Sequence, residues 1–186
     1  VGSPIRTNIG KSYRLGLELS AALKPTPHWR YRANLSLSRN RNQNAVEVRG
    51  DGSKNLSYTT LSFSPSVVAS SVLDYKPLEH LTLSWYSKYV GAQYLANAEP
   101  KNGRLKPFWN QDFRAAFSSE KWGLKPILLS FLLNNFLNVR YESNGAFYDY
   151  DGVPYYYPQA GTNFLIGLIL RMGDAQLSDT KNLLCY

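Results

Sequence analysis

Apolar and polar residues alternate with period two along most of this chain. Across residues 12–23 the odd positions are Tyr13, Leu15, Leu17, Leu19, Ala21 and Leu23, and the even ones Ser12, Arg14, Gly16, Glu18, Ser20 and Ala22. A helix mixes two such sets around its circumference, whereas a strand sends them to opposite faces. After the proline turn Lys24-Pro25-Thr26-Pro27, residues 29–40 alternate again, with Trp29, Tyr31, Ala33, Leu35 and Leu37 against Arg30, Arg32, Asn34, Ser36, Ser38 and Asn40. The two segments predict a long hairpin. Further strands are expected near residues 66–75, 81–94, 108–118, 127–137 and 160–172, about seven in all.

The spacing between these strands is uneven in a regular way. Short turns (24–28, 76–80, 120–125) alternate with long polar stretches (40–65, 96–106, 138–159), which read as loops because they lack an apolar period. That asymmetry is the mark of an outer-membrane barrel, with short turns on one side and long loops on the other. The strands, about 10–13 residues each, exceed the five or six usual in a globular sheet and suit a tilted crossing of a bilayer. Trp29, Tyr31, Tyr75, Phe117 and Trp122 lie near the short-turn end and Tyr13, Tyr89, Tyr94 and Trp109 near the long-loop end, as two interfacial girdles would. Arg14, Glu18, Arg30, Arg32, Lys88, Asp112, Arg114 and Arg171 fall on the polar side, where a wet lumen tolerates them. An odd count near seven does not close an even-stranded barrel, so the chain reads as a fragment that begins partway through a longer protein, any targeting peptide lying outside it. A soluble β-sandwich, which also alternates, is the rival fold.

Composition narrows the function. Of 186 residues, 21 are Lys or Arg and 13 Asp or Glu, a net charge of +8, and 14% are aromatic. The longest apolar runs, 127–133 and 164–170, are far too short for a spanning helix. With one cysteine, Cys185, and two separated histidines, His28 and His80, there is neither a disulfide framework nor a Cys/His zinc site. No nucleophile elbow, phosphate loop or paired carboxylates point to an enzyme, no cofactor is expected, and no module frames the basic residues for nucleic acid. Asp149, Asp151 and Gly152 lack the further ligands of a calcium loop. The histidines, both at short turns, read as interfacial rings.

Several segments in order resemble the C-terminal part of TonB-dependent outer-membrane receptors, especially the Bacteroidetes type. They are Asn8-Ile9-Gly10-Lys11-Ser12-Tyr13-Arg14-Leu15-Gly16 with Glu18, Asp74-Tyr75-Lys76-Pro77, Lys88-Tyr89-Val90-Gly91 with Gln93-Tyr94-Leu95, Asn134-Asn135-Phe136-Leu137-Asn138 with Tyr141, Asn144 and Gly145, and Tyr157-Pro158-Gln159-Ala160-Gly161-Thr162-Asn163-Phe164. The resemblance implies an all-β, antiparallel up-and-down transmembrane barrel of 22 strands in the bacterial outer membrane, of which residues 1–172 hold about the last seven. Residues 173–186 form a polar tail that departs from the family's usual aromatic ending. It implies import of a scarce large nutrient of the siderophore, vitamin or glycan class. The implied partners are that nutrient, TonB through a part absent here, the barrel-assembly machinery, and outer-membrane lipid with lipopolysaccharide. A passive porin-like or adhesin-type barrel is the alternative.

Within the longest polar stretch, Phe147, Tyr148, Tyr150, Tyr155, Tyr156 and Tyr157 form an aromatic cluster where functional contacts concentrate on such scaffolds. Tyrosine pairs a stacking face with a hydroxyl, which suits glycans or catecholates. Tyr148, Tyr150, Tyr155 and Tyr156 are therefore the candidate ligand contacts. Arg39, Arg41, Arg49, Lys54, Lys101 and Arg104 form a basic set in the long stretches that suits lipopolysaccharide phosphates or an anionic substrate.

Overall fold

The computed structural model describes residues 11–49, 52–119, 127–148 and 152–170. Twelve strands lie in this part: β1 Lys11–Thr26, β2 Trp29–Arg49, β3 Gly52–Thr60, β4 Val67–Leu78, β5 Leu81–Val90, β6 Gln93–Tyr94, β7 Arg104–Leu105, β8 Phe108–Ser118, β9 Ile127–Asn134, β10 Glu142–Tyr148, β11 Val153–Pro158 and β12 Asn163–Leu170. The sheet order β1-β2-β4-β5-β8-β9-β12 is up-and-down, and every pairing along it is antiparallel. These are the seven strands the alternation predicts. Among the described residues β1 and β12 are the sheet's edges, so it forms an open arc of wall.

The register carries each strand's faces across the whole sheet. Leu17 lies opposite Leu37, Leu19 opposite Leu35 and Leu23 opposite Tyr31. Leu73 then meets Trp85, Trp85 meets Phe113, Ala115 meets Phe131, and Phe131 meets Ile166. One face is thus apolar from edge to edge, because side chains alternate across a pleat and pairing preserves the side. No second sheet among the described residues covers it: Leu17 is 55% and Leu168 59% exposed. The buried apolar side chains of the described residues are Ala45, Val90, Leu95 and Leu105, all toward the long-connection end. A sandwich would bury the Leu and Trp face instead.

Ser71, Ser87 and Gln111 interrupt that face in one row across β4, β5 and β8, and the last two bond to each other. Gln111, 2% exposed, donates from Nε2 to Ser87 Oγ at 2.9 Å and accepts from the Trp85 indole, while the Trp109 indole donates to Ser87 Oγ at 2.7 Å. Phe136 packs edge-on against Trp85. A hydrogen-bonded knot of this kind lets polar atoms sit in apolar surroundings. The opposite face is mostly polar from β1 to β8, with Val68, Val72 and Val90 among its exceptions; there Arg32 pairs with Asp74 at 3.0 Å and Ser84 donates to Asp74 at 2.6 Å. Across β9 and β12 it turns apolar, with Leu128 opposite Ile169 and Leu132 opposite Leu165.

At the short-turn end the strands run closer to the tip than expected. Pro27-His28 and Glu79-His80 alone link their hairpins, and backbone pairing resumes at Thr26 with Trp29 and at Leu78 with Leu81. The His28 ring lies 2.8 Å from the Lys76 carbonyl and Lys76 N–H donates to the His28 carbonyl, lacing the two turns together. The third short turn and the 173–186 tail lie outside the described residues.

Two of the three polar stretches are largely paired strand, whereas 96–106 is a loop as expected except for Arg104–Leu105. β2 continues through Arg49 and pairs with β3; β10 and β11 form a hairpin; β6 and β7 a short ladder. Alternation vanishes where both faces meet water, yet the backbone still pairs, and polar side chains add cross-strand bonds such as Asn42 to Thr59. Irregularities in the β2–β3 ladder fall next to Asn44 and Ser57, which have φ of 57° and 56°. Bulges of this kind bend a strand and are common at the rims of barrels.

Candidate functional site

Above the apolar face, the long connections fold into a layer with its own small core. Leu95 N–H donates to Gly103 O at 2.9 Å, Phe63 N–H to Tyr94 O at 2.9 Å, and Ser62 N–H to Asn97 Oδ1 at 2.9 Å, so the β3–β4 and β5–β8 connections are stitched into one surface. Leu95 and Leu105 are buried between them.

The β10–β11 hairpin docks on that layer through one of its two faces. By register Gly145 lies opposite Tyr156 and Phe147 opposite Pro154 on the docking face, while Ala146 opposite Tyr155 and Tyr148 opposite Val153 share the other. A Cβ on Gly145 would meet Tyr155 O at 2.6 Å and the Leu95 side chain at 3.1 Å, and one on Gly103 would meet the Phe147 ring at 2.9 Å. These two glycines let the surfaces touch. Gly145→Ala is expected to cost about 1–3 kcal/mol by overpacking and to make the hairpin cleavable under limited proteolysis, where the parent chain resists.

The four candidate tyrosines separate accordingly. Tyr148 and Tyr155 come together edge-to-face with centroids 5.6 Å apart, 48% and 46% exposed, on the outward face of the hairpin with Tyr157. Tyr156 is on the docking face, where its hydroxyl donates to the Asn102 carbonyl, and Asn102 Nδ2 in turn reaches Gly152 O at 2.9 Å. Its role is to hold the hairpin down. Tyr150, with Asp149 and Asp151, lies outside the described residues.

Sequence reasoning passed over the support beneath this hairpin. Asn135, 3% exposed with φ of 47°, donates from Nδ2 to the Val139 and Ala160 carbonyls at 2.9 and 3.1 Å and accepts from Val139 N–H at 2.9 Å. Thr162 Oγ1 donates to the Asn135 carbonyl and Thr162 N–H to Asn138 Oδ1. The two motifs around Asn135 and Gly161, separate in the sequence, thus form one clasp that returns the chain to β12. Asparagine suits it because it tolerates left-handed backbone while its amide both donates and accepts. Next to it Tyr141 stacks on Phe108 at 4.2 Å; burial, then the Asp112 carboxylate, holds its phenol above the usual tyrosine value.

The second grouping is basic. Arg39, Arg41 and Arg104 line a pocket of about 260 Å³ with Thr60, Ser66 and Tyr94, at the level where β2 has risen past the start of β4. Arg41 donates to Thr60 Oγ1 at 3.0 Å and lies 3.5 Å from Glu99; the Arg104 guanidinium sits 5.6 Å from the Tyr94 ring centroid. Among the described residues, no group of three or more His, Cys, Asp and Glu side chains is placed to hold a metal ion.

No family model and no curated relative matches the sequence. Solved structures do match its fold. The siderophore receptor PiuA from Acinetobacter baumannii superposes with a TM-score of 0.71 at 19% identity, over 87% of this chain and 22% of that one. The ferric-catecholate import receptor Fiu from E. coli K12, in its closed form, gives 0.63 at 17% identity over 86% and 21%. The ferric yersiniabactin uptake receptor FyuA from Yersinia pestis gives 0.64 at 18% over 87% and 23%. The chain therefore spans between a fifth and a quarter of these receptors' length, and along that span it has the up-and-down sheet fold of their chains, the fold its motifs resemble.

Proposed function

We propose that this chain is wall from a TonB-dependent outer-membrane receptor that imports an iron-chelating nutrient of the siderophore class, with Tyr148 and Tyr155 among its ligand contacts. The observation that carries this reading is the superposition of 87% of the chain on a siderophore receptor. Supporting it are the uncovered apolar face, suited to lipid, and the motifs held in the Asn135 clasp. Energy would come through TonB by way of a plug upstream of this sequence. A passive porin-like barrel shares the wall but has no need of a plug, so the upstream reading frame discriminates: a plug domain with a TonB box supports import, and a signal peptide directly before Val1 overturns it.

Tyr150 remains a proposed contact with Tyr148 and Tyr155, while Tyr156 supports the hairpin from below. The exposed rings of this edge-to-face pair still offer stacking surface and hydroxyls on their outer sides, which suits a catecholate ring or another flat ligand group. The double variant Tyr148→Ala, Tyr155→Ala in the intact receptor is expected to weaken binding of a ferric catecholate about tenfold, from loss of roughly 1.4 kcal/mol of stacking. Tyr156→Phe should lower the stability of the hairpin more than it lowers affinity. Fluorescence-quenching titration of the purified receptor measures affinity in both variants and limited proteolysis the hairpin's stability; unchanged affinity in the double variant removes the pair from the site.

A further inference from the structure

The pairing of β2 puts two of the pocket's arginines on an unexpected side. Leu15 lies opposite Arg39 and Tyr13 opposite Arg41, so both arginines share the face of Leu17, Leu19 and Leu37. Arg41 confirms this by bonding to Thr60, its cross-strand neighbour. In a barrel that face looks outward. These cations therefore stand at the upper edge of the apolar band, on the outside, rather than in the ligand path.

We infer that Arg39, Arg41 and Arg104 form an exterior site for a phosphate group, supplied by the headgroup of a phosphorylated lipid in the surrounding leaflet. The inference rests on the reading of the chain as barrel wall. Guanidinium forks match phosphate oxygens in pairs, and three around one pocket outweigh the single carboxylate there, Glu99. Among the described residues neither Arg39 nor Arg104 forms an ion pair, which leaves both guanidiniums available to an anion. A free phosphate ion would be served equally well by a lumenal or loop-top pocket. What points to a lipid is the apolar face below: six positions down β2 from Arg39, about 20 Å along the strand, that face holds a separate groove of about 450 Å³ walled by Leu19, Leu35 and Tyr89 over Ala33 and Ser71. A headgroup at the arginines directs an acyl chain along that face.

The test uses the intact receptor, extracted from outer membranes in a mild detergent and examined by native mass spectrometry. Bisphosphorylated lipid A, the same lipid after phosphatase treatment, and inorganic phosphate are the three probes. The expected result is retention of phosphorylated lipid at least about tenfold above the dephosphorylated form, and a loss of similar size in Arg39→Gln, Arg41→Gln. Arg39→Lys, Arg41→Lys should restore part of the retention, since charge persists without the fork. Equal retention of the two lipids, or no change in the Gln variant, overturns the site. Inorganic phosphate displacing the lipid at equal concentration overturns the lipid source. The heat-dependent gel shift of the folded barrel, run on every variant, separates failure of this site from failure of the barrel reading: in the second case the shift is absent in the parent receptor too.

Discussion

Leu17→Arg is expected to cost the folded barrel about 2–4 kcal/mol, whereas Ser20→Arg, three positions along the same strand, should cost less than about 1 kcal/mol. The two residues are similarly solvent-open in this sheet, so exposure alone does not distinguish them. What differs is the face. Leu17 lies in the continuous apolar row with Leu37, while Ser20 donates to Asn34 Oδ1 at 2.9 Å on the polar side. A guanidinium on the first face must sit in hydrocarbon or deform the bilayer; on the second it enters water. Leu35 and Leu168 should behave like Leu17, and Ser36 and Asn163 like Ser20. Urea titration of the intact protein in liposomes, followed by the heat-dependent gel shift, measures the difference. Equal losses on both faces would mean that the apolar face does not meet lipid.

Asn135→Ala should be the most damaging substitution outside the band, at about 3 kcal/mol. It removes both carbonyl partners of the Asn135 amide and the acceptor for Val139 N–H, strands those groups in a site where Asn135 itself is 3% exposed, and places alanine at a φ of 47°. Asn135→Asp keeps the acceptor but loses both donor bonds, and it sets a second carboxylate beside Asp112, whose Oδ1 already accepts the Asn135 backbone N–H at 2.7 Å. It should be no milder. Asn134→Ala is the control, because its exposed amide bonds only to Asn163 Oδ1; less than about 1 kcal/mol is expected. Hydrogen exchange of the receptor should show the loss concentrated in the return to β12 and the β10–β11 hairpin. A cost shared evenly between Asn134 and Asn135 would show that the clasp does not hold that return.

The seven wall strands and their faces were legible in the sequence because a pleat is a local property. Leu15, Leu17 and Leu19 point one way whatever the strand pairs with, and register then joins face to face. Where the chain leaves the band, that code disappears. Residues 40–65 and 138–159 read as loops since nothing in a water-facing hairpin demands alternation, yet β2–β3 and β10–β11 pair there all the same. The same limit applies to the tyrosines. Their sequence adjacency said nothing of which face docks, and only the contacts of Gly145 and Gly103 put Tyr156 beneath the hairpin and Tyr148 with Tyr155 outside it.

Alternation therefore determined the number of wall strands and which residues share each face, while the barrel reading also needed the uneven connections, the strand lengths and the motifs. Tertiary structure decided the rest: Gln111, a polar residue at an apolar position, is tolerated because Trp85 and Ser87 reach it from the neighbouring strand. Arg39 and Arg41, on the apolar face by register, meet Arg104 in one pocket where β2 runs past the start of β4. Each of these depends on hydrogen bonds and packing between segments far apart in the chain, and no period within a single strand encodes them.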